Sequence, residues 1–413
     1  MMWIPEKAWD HSTFTNKNGD PLFLMPVREA LGYGEISMPQ RFPDDPHDIE
    51  NGIQYRHQVS TTTELTGVTS GRKIISTPFT VANMYNIASI RLARSFVERT
   101  ATYNEEFGAS EAAPLVSLPK QLTESQIQSL YEIMEENGNT NNIVLTVGSD
   151  EDSIQRMDRL ENHIGKDKFR QNLLTLHFDN PNLNTPKAFA DLKYWRKRYP
   201  QTYLIAGNTD NPATARHIAK CGADSVKIGI GPGAMCTTRL TTGIGVPQAT
   251  AVAAAVAALR DDNGDALAHV MADGGIRHPK DWVYALGLGA DHVMFGSVFG
   301  GYPEGFETDD DLERLKMIID DRVYVPIYGS ASHEALKLYH GGKNDWYRTP
   351  EGRKAAAQLH TVSATKLLDQ YRGGLRSALT HRGAGSVDEF QATAQFLPIA
   401  GTHVDHTIHT MAI

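Results

Sequence analysis

GIGPGAMCTTRLTTGIGVPQ, residues 229–248, is the stretch from which the rest of the chain can be read. The run leading into it, 225–230, has the apolar, β-branched character of a strand. Gly229, Gly231 and Gly233 follow, and without side chains they let backbone approach a ligand closely. Cys236 then arrives in a threonine-rich loop, and a helix-forming run, 247–259, begins directly after it. Strand, glycine loop, cysteine and helix in that order make a ligand-facing loop, because freed backbone N–H groups bind anions while the thiol stays accessible.

Outward from this loop the same unit repeats. Short β-rich runs at 74–79, 114–118, 142–147, 173–178, 202–206, 225–230, 269–272 and 292–295 alternate with amphipathic stretches at 123–136, 150–164, 185–199, 212–221 and 279–288. Such alternation is the pattern of parallel α/β folds, and eight strands of this kind predict a (β/α)8 TIM barrel. At 413 residues the chain fits one such catalytic domain with extended termini. The expected division is an extension over 1–67 that wraps the barrel or an oligomer partner, the barrel over 68–384, and a tail over 385–413. CGADSVKIGIGPG (221–233) and LGADHVMFGSVFG (288–300) echo each other, as two strand exits that expose backbone amides would. Barrels often bind phosphate on the loops after their last two strands, here Gly274 and Gly275, and Gly296 and Ser297.

Composition narrows the function classes. Net charge is −9 with the basic residues dispersed, so no patch for nucleic acid or an anionic membrane is expected, and phosphate must be bound locally. Two cysteines, Cys221 and Cys236, are too few for a disulfide framework and lack metal-ligand spacing, which suits a reducing compartment. No apolar run approaches the length of about 18 residues of a spanning helix, and the first residues lack a signal-peptide layout. A cytoplasmic protein is expected. His403, His406 and His409 invite a metal reading, but without an acidic or cysteine cluster around them a solvated or oligomer-packing tail is the better one. Arg198 and Tyr199 end a helix on the far face of the barrel and are read as surface.

The quoted stretch closely resembles the catalytic loop of the IMP dehydrogenase and GMP reductase family, in which GxGPGxxCTTR and GxGxPQ surround a nucleophilic cysteine. IAGN (205–208), ADGGIR (272–277), GADHVMFGS (289–297) and YRGGLRSAL (371–379) match in the same order. The resemblance implies the same barrel, with Cys236 attacking C2 of a purine mononucleotide and hydride exchanged with a nicotinamide. It gives the ribose hydroxyls to Asp273, the phosphate and base to Gly274, Gly275, Gly296, Ser297, Tyr328, Gly329 and Ser330, and further substrate contacts to Met84, Asn208 and Arg348. Asp179 and Asn182, in FDNPNLN, fall on the cofactor side. Gly231, Gly233 and the Cys236 carbonyl match positions that hold a monovalent cation such as K+. A homotetramer is implied as well.

Within the family the closer likeness is to GMP reductases. The family's dehydrogenases carry a tandem regulatory insert after the second strand, where only a few residues follow Leu118 here. They also activate water with an Arg-Tyr flap, for which GGKNDWYRTPEGRK (341–354) leaves no room. The short YRxxEG layout is that of the reductases and aligns Arg348 and Glu351, with Glu351 and Thr238 as the proton relay for ammonia departure. The expected reaction converts GMP and NADPH, or NADH, to IMP and ammonia. Rival readings are an IMP dehydrogenase without its regulatory domain and a nucleotide-binding barrel without turnover. Tyr85, where aspartate is usual, and Ala234, where Ser, Gly or similar is usual, are departures from the pattern.

Overall fold

The computed structural model describes residues 14–23, 31–40, 59–136, 142–181, 183–339 and 349–398. Eight parallel strands form its centre: β1 (Lys73–Val81), β2 (Pro114–Ser117), β3 (Ile143–Val147), β4 (Thr175–Asp179), β5 (Tyr203–Thr209), β6 (Ser225–Ile228), β7 (His269–Asp273) and β8 (His292–Phe295). Each pairs with the next, and β8 returns to β1 with Val293 opposite Phe79 and Phe295 opposite Val81. The closed (β/α)8 barrel expected from the alternation is therefore present, with every strand within a few residues of its expected place.

The surrounding helices are α1 (Ile90–Phe107), α2 (Glu124–Glu136), α3 (Glu151–Ile164), α4 (Pro186–Arg198), α5 (Pro212–Lys220), α6 (Gln248–Ala258), α7 (Pro279–Gly287) and α8 (Ala364–His381). Their starts are chemically marked. Asp150 accepts the Ser153 N–H at 2.7 Å to cap α3, and Ser89 accepts that of Leu92 at 2.9 Å to cap α1. Helix α6 is alanine-rich and buried almost throughout, since Leu31 of the N-terminal segment exchanges hydrogen bonds with Thr250 on its outer side. Strand Ile36–Ser37 of the same segment pairs with Leu397–Pro398, so both ends of the described chain meet beside α7.

Some elements were not anticipated. Helices α1 and α8 were not read from the sequence, and α8 is separated from β8 by an inserted antiparallel sheet of β9 (Met317–Ile319), β10 (Arg322–Tyr328) and β11 (Lys354–Gln358). Its first turn uses Asp320 and Asp321 at φ 49° and 60°, the left-handed pair that a two-residue hairpin demands. Thr63–Thr66 adds an antiparallel strand to β1. The Arg198 and Tyr199 reading needs correction: the pair does lie on α4 away from the strand ends, but Tyr199 is buried and Arg198 is held by Asp158 at 2.6 Å and Glu161 at 3.2 Å. It is packing between α3 and α4, not free surface.

At the other end of the barrel, burial pushes the His292 imidazole down to about 4, against a smaller opposing contribution from the Phe79 backbone. An unfolded chain takes up this proton near pH 6.5 while the folded chain resists until about 4. Neutral His292 therefore contributes its full stability above the unfolded value, and roughly 3 kcal/mol is lost as pH falls through that window. Urea titrations at stepped pH should show a shallower acid loss in His292→Gln than in the parent; parallel slopes would contradict this.

Candidate active site

The Cys236 loop is built around the end of β6. Gly229 sits at φ 143°, and a Cβ there would lie 2.5 Å from the Asp273 carbonyl. The Gln248 amide, at the start of α6, donates to the carbonyls of Ile228 at 2.9 Å and Asp273 at 3.2 Å, tying the β6 and β7 ends together. Arg239 closes the loop on itself by donating to Ile230 O at 2.7 Å and to Val246 O. Gly231 and Gly245 pack on the Arg239 side chain where any Cβ would collide with it.

Held this way, Cys236 is half-buried and its Sγ lies 3.2 Å from Thr238 Oγ1. Thr238 Oγ1 donates to Glu351 Oε2 at 2.8 Å, so thiol, hydroxyl and carboxylate form one chain although Glu351 is 113 positions downstream. Backbone bonds fix that meeting: Thr237 N to Glu351 O at 2.7 Å, Arg353 N to Met235 O at 3.0 Å, and Gly329 N to Arg353 O at 3.1 Å. The sequence reading joined these three side chains, and the structure brings them together. Cys221 differs; it is buried at the end of α5, and burial pushes its thiol pKa up.

A second set of charges occupies the barrel interior beside the loop. Asp273, at the end of β7, accepts from Asn208 Nδ2 at 2.7 Å, and the same Asn208 amide donates to Gly229 O at 2.9 Å. Lys227 Nζ reaches Asp273 Oδ2 at 3.4 Å and Asp179 Oδ1 at 3.0 Å. Both of these contacts of Asp273 fall on Oδ2, and its side chain stays 22% exposed. Asp179 also meets Lys120 at 3.4 Å and Asn83 at 3.2 Å. Burial opposes its charge, but Lys227 and then Lys120 outweigh that and hold the carboxyl well below its usual range. Burial likewise opposes the Lys227 ammonium, and Asp179 and Asp273 overcome it. Sequence reading missed Lys227, Lys120, Asn83, Gln248 and Arg239. A lysine within the apolar run SVKI was the available signal, since every residue of β6 is buried.

The remaining expected residues sit around the same end. Gly274 and Gly275 are both at φ 83°, and a Cβ on Gly274 would be 3.0 Å from Gly233 N, so this turn packs directly on the Cys236 loop. Met84 Sδ lies 3.3 Å from the space a Gly296 Cβ would take, which joins the loops after β1 and β8. Ser297 opens the turn Ser297–Phe299. Tyr328 ends β10 with Lys354 Nζ 5.6 Å from its ring centroid, and Gly329 rests against Met235 O. Ser330 is half-buried in the same turn. Asn182, Arg348, His403, His406 and His409 lie outside the described residues. Among the described residues no group of three His, Cys, Asp or Glu side chains is arranged for a metal, and no helix is long and apolar enough to cross a membrane.

A barrel with a thiol, hydroxyl and carboxylate at one strand-end face and two lysine-bound carboxylates beside them has the layout of a nucleophilic enzyme site. The IMP dehydrogenase / GMP reductase domain model matches residues 54–407. A mouse relative, GMP reductase 1, is 30% identical over 263 residues, 63% of this chain and 70% of that protein. A Mycobacterium tuberculosis GMP reductase is 41% identical over 182 residues, and an Escherichia coli inosine-5'-monophosphate dehydrogenase is 35% identical over 248. These cover 44% and 58% of this chain but only 35% and 48% of the relatives. The chain belongs to the IMP dehydrogenase / GMP reductase domain family.

The contrast between the cysteines has a direct readout. Native protein titrated with a disulfide reagent should release one equivalent quickly and the second only on unfolding, because Cys236 is accessible and Cys221 is buried. Cys236→Ala should remove the fast phase; a fast phase that survives would place the reactive thiol at Cys221.

Proposed function

We propose that the chain is a GMP reductase-like purine-nucleotide oxidoreductase. The observation that carries this reading is the Thr238–Glu351 hydrogen bond within reach of Cys236 Sγ. The Cys236 thiolate adds to C2 of GMP, and the C2 amino group leaves as ammonia with a proton delivered along Glu351 and Thr238. That leaves a thioimidate bond between Sγ and C2. A reduced nicotinamide supplies hydride to C2, the C2–S bond breaks, and IMP leaves as the thiolate returns to Cys236.

The interior carboxylates suit both substrates. Asp273, partly exposed beside the Cys236 loop, is the proposed acceptor of the ribose hydroxyls. Asp179 takes three described donors, from Lys227, Lys120 and Asn83, and a carboxylate's roughly four lone-pair sites leave room for a nicotinamide carboxamide N–H. The glycine turns at Gly274, Gly275, Gly296 and Ser297, with Tyr328 to Ser330, are the proposed phosphate and base site. For a monovalent cation, the Gly233 carbonyl already accepts the Cys236 N–H at 3.1 Å, so K+ bound by Gly231, Gly233 and Cys236 shares that acceptor. NADPH is the proposed donor, and a homotetramer in the cytoplasm the proposed state.

Chromatographic product analysis in both directions, with NADPH and NADH tested separately, decides the reading. GMP with reduced cofactor should give IMP and ammonia, and IMP with oxidised cofactor but no ammonia should give no XMP. Glu351→Gln should slow deamination by about a hundredfold or more while hydride exchange persists, since the amide cannot cycle a proton. Steady XMP formation would make the chain a dehydrogenase, and binding without turnover in either direction would make it a nucleotide-binding barrel.

A further inference from the structure

Lys227 is the one described cation that touches both interior carboxylates, one from each proposed half-site. It projects from β6 into the barrel with its side chain 3% exposed, 3.0 Å from Asp179 on β4 and 3.4 Å from Asp273 on β7. The neighbouring strand is shaped for it: a Cβ on Gly207 of β5 would lie 2.5 Å from Lys227 Cβ. A buried ammonium is costly unless matched by charge, and here both matching charges are site carboxylates. We propose that Lys227 is a positioning residue that holds the nucleotide-side and cofactor-side carboxylates in a single ionised arrangement, coupling the two half-sites.

The proposal rests on the functional reading above, which gives Asp273 to ribose and Asp179 to nicotinamide. The groups facing Lys227 are Asp179 and His177 on β4, Asp273 on β7 and Met294 Sδ at 4.0 Å on β8. Beyond Asp179 stand Lys120 and Asn83, and beyond Asp273 stands Asn208. Removing the ammonium leaves buried Asp179 with Lys120 as its remaining described lysine partner, and half-buried Asp273 with Asn208 as its remaining described side-chain partner. An Asp273 carboxylate no longer tied to β4 through Lys227 is presented less rigidly to ribose hydroxyls. The effect on nucleotide binding is then shared with Asp179, in a way that lost packing alone is not.

GMP affinity measured by calorimetry without cofactor, in Lys227→Met, Asp179→Asn and the double variant, tests this on the full chain. Lys227→Met should bind GMP about tenfold more weakly than the parent, and adding Asp179→Asn to it should change little further, because the link between the carboxylates is already cut. No deficit in Lys227→Met, or losses that simply add in the double variant, overturns the proposal. If Lys227→Met does not fold, Asp179→Asn serves instead: GMP affinity should shift by about threefold or more although Asp179 does not face the nucleotide, because Lys227 is redistributed toward Asp273. Unchanged GMP affinity in Asp179→Asn overturns the coupling while leaving the functional reading intact. A parent protein that binds no GMP overturns both.

Discussion

The site depends on backbone bonds that join two distant pieces of chain. Glu351 O accepts from Thr237 N and Arg353 N donates to Met235 O of the Cys236 loop, while Gly329 N donates to Arg353 O within the insertion between β8 and α8. Main-chain bonds of this kind fix position without depending on side-chain rotamers, so the Glu351 carboxylate is delivered to Thr238 with little freedom left to lose. The inserted antiparallel sheet, β10 with β11, aligns both ends of that connection. Without it the thiol would still be present on its loop, but the Thr238–Glu351 contact would not be assembled.

Inside the barrel the organising principle is charge compensation. Four ionisable groups, Asp179, Lys227, Lys120 and Asp273, sit where an ordinary barrel would be filled with branched apolar side chains. They are tolerated because each is paired, and the pairing fixes carboxylate orientation before a ligand arrives. Asn208 extends this order to the Cys236 loop by bonding both Asp273 and Gly229 O. The interior carboxylates and the cysteine loop are thus parts of one hydrogen-bonded body, the kind of preorganisation an electrostatic active site needs.

Much of this was legible in the sequence. The eight strands showed as short apolar runs because a parallel strand buried on both faces carries that signature locally. Cys236, Thr238 and Glu351 were identifiable from motif likeness. Helix α1 has its buried Ile90, Ala93 and Phe96 at helical spacing, but a charged outer face dilutes the pattern. The inserted sheet escaped notice because its strands are only three to seven residues long and pair across a distant segment. Lys227 and Arg239 were missed for a different reason. The lysine inside SVKI marks a buried cation, but the carboxylates it reaches lie on other strands, and the carbonyls that Arg239 ties together depend on the fold of its loop, which no local pattern encodes.

The central claim, a covalent bond between Cys236 and the purine, is most directly tested by acid-quenching the protein during turnover of GMP and mapping the adduct by peptide mass spectrometry. A purine mononucleotide lacking its C2 amino group, carried on the peptide that contains Cys236, is the expected result. Turnover with no adduct on that peptide under quench, or an adduct on the peptide that contains Cys221, would contradict the account.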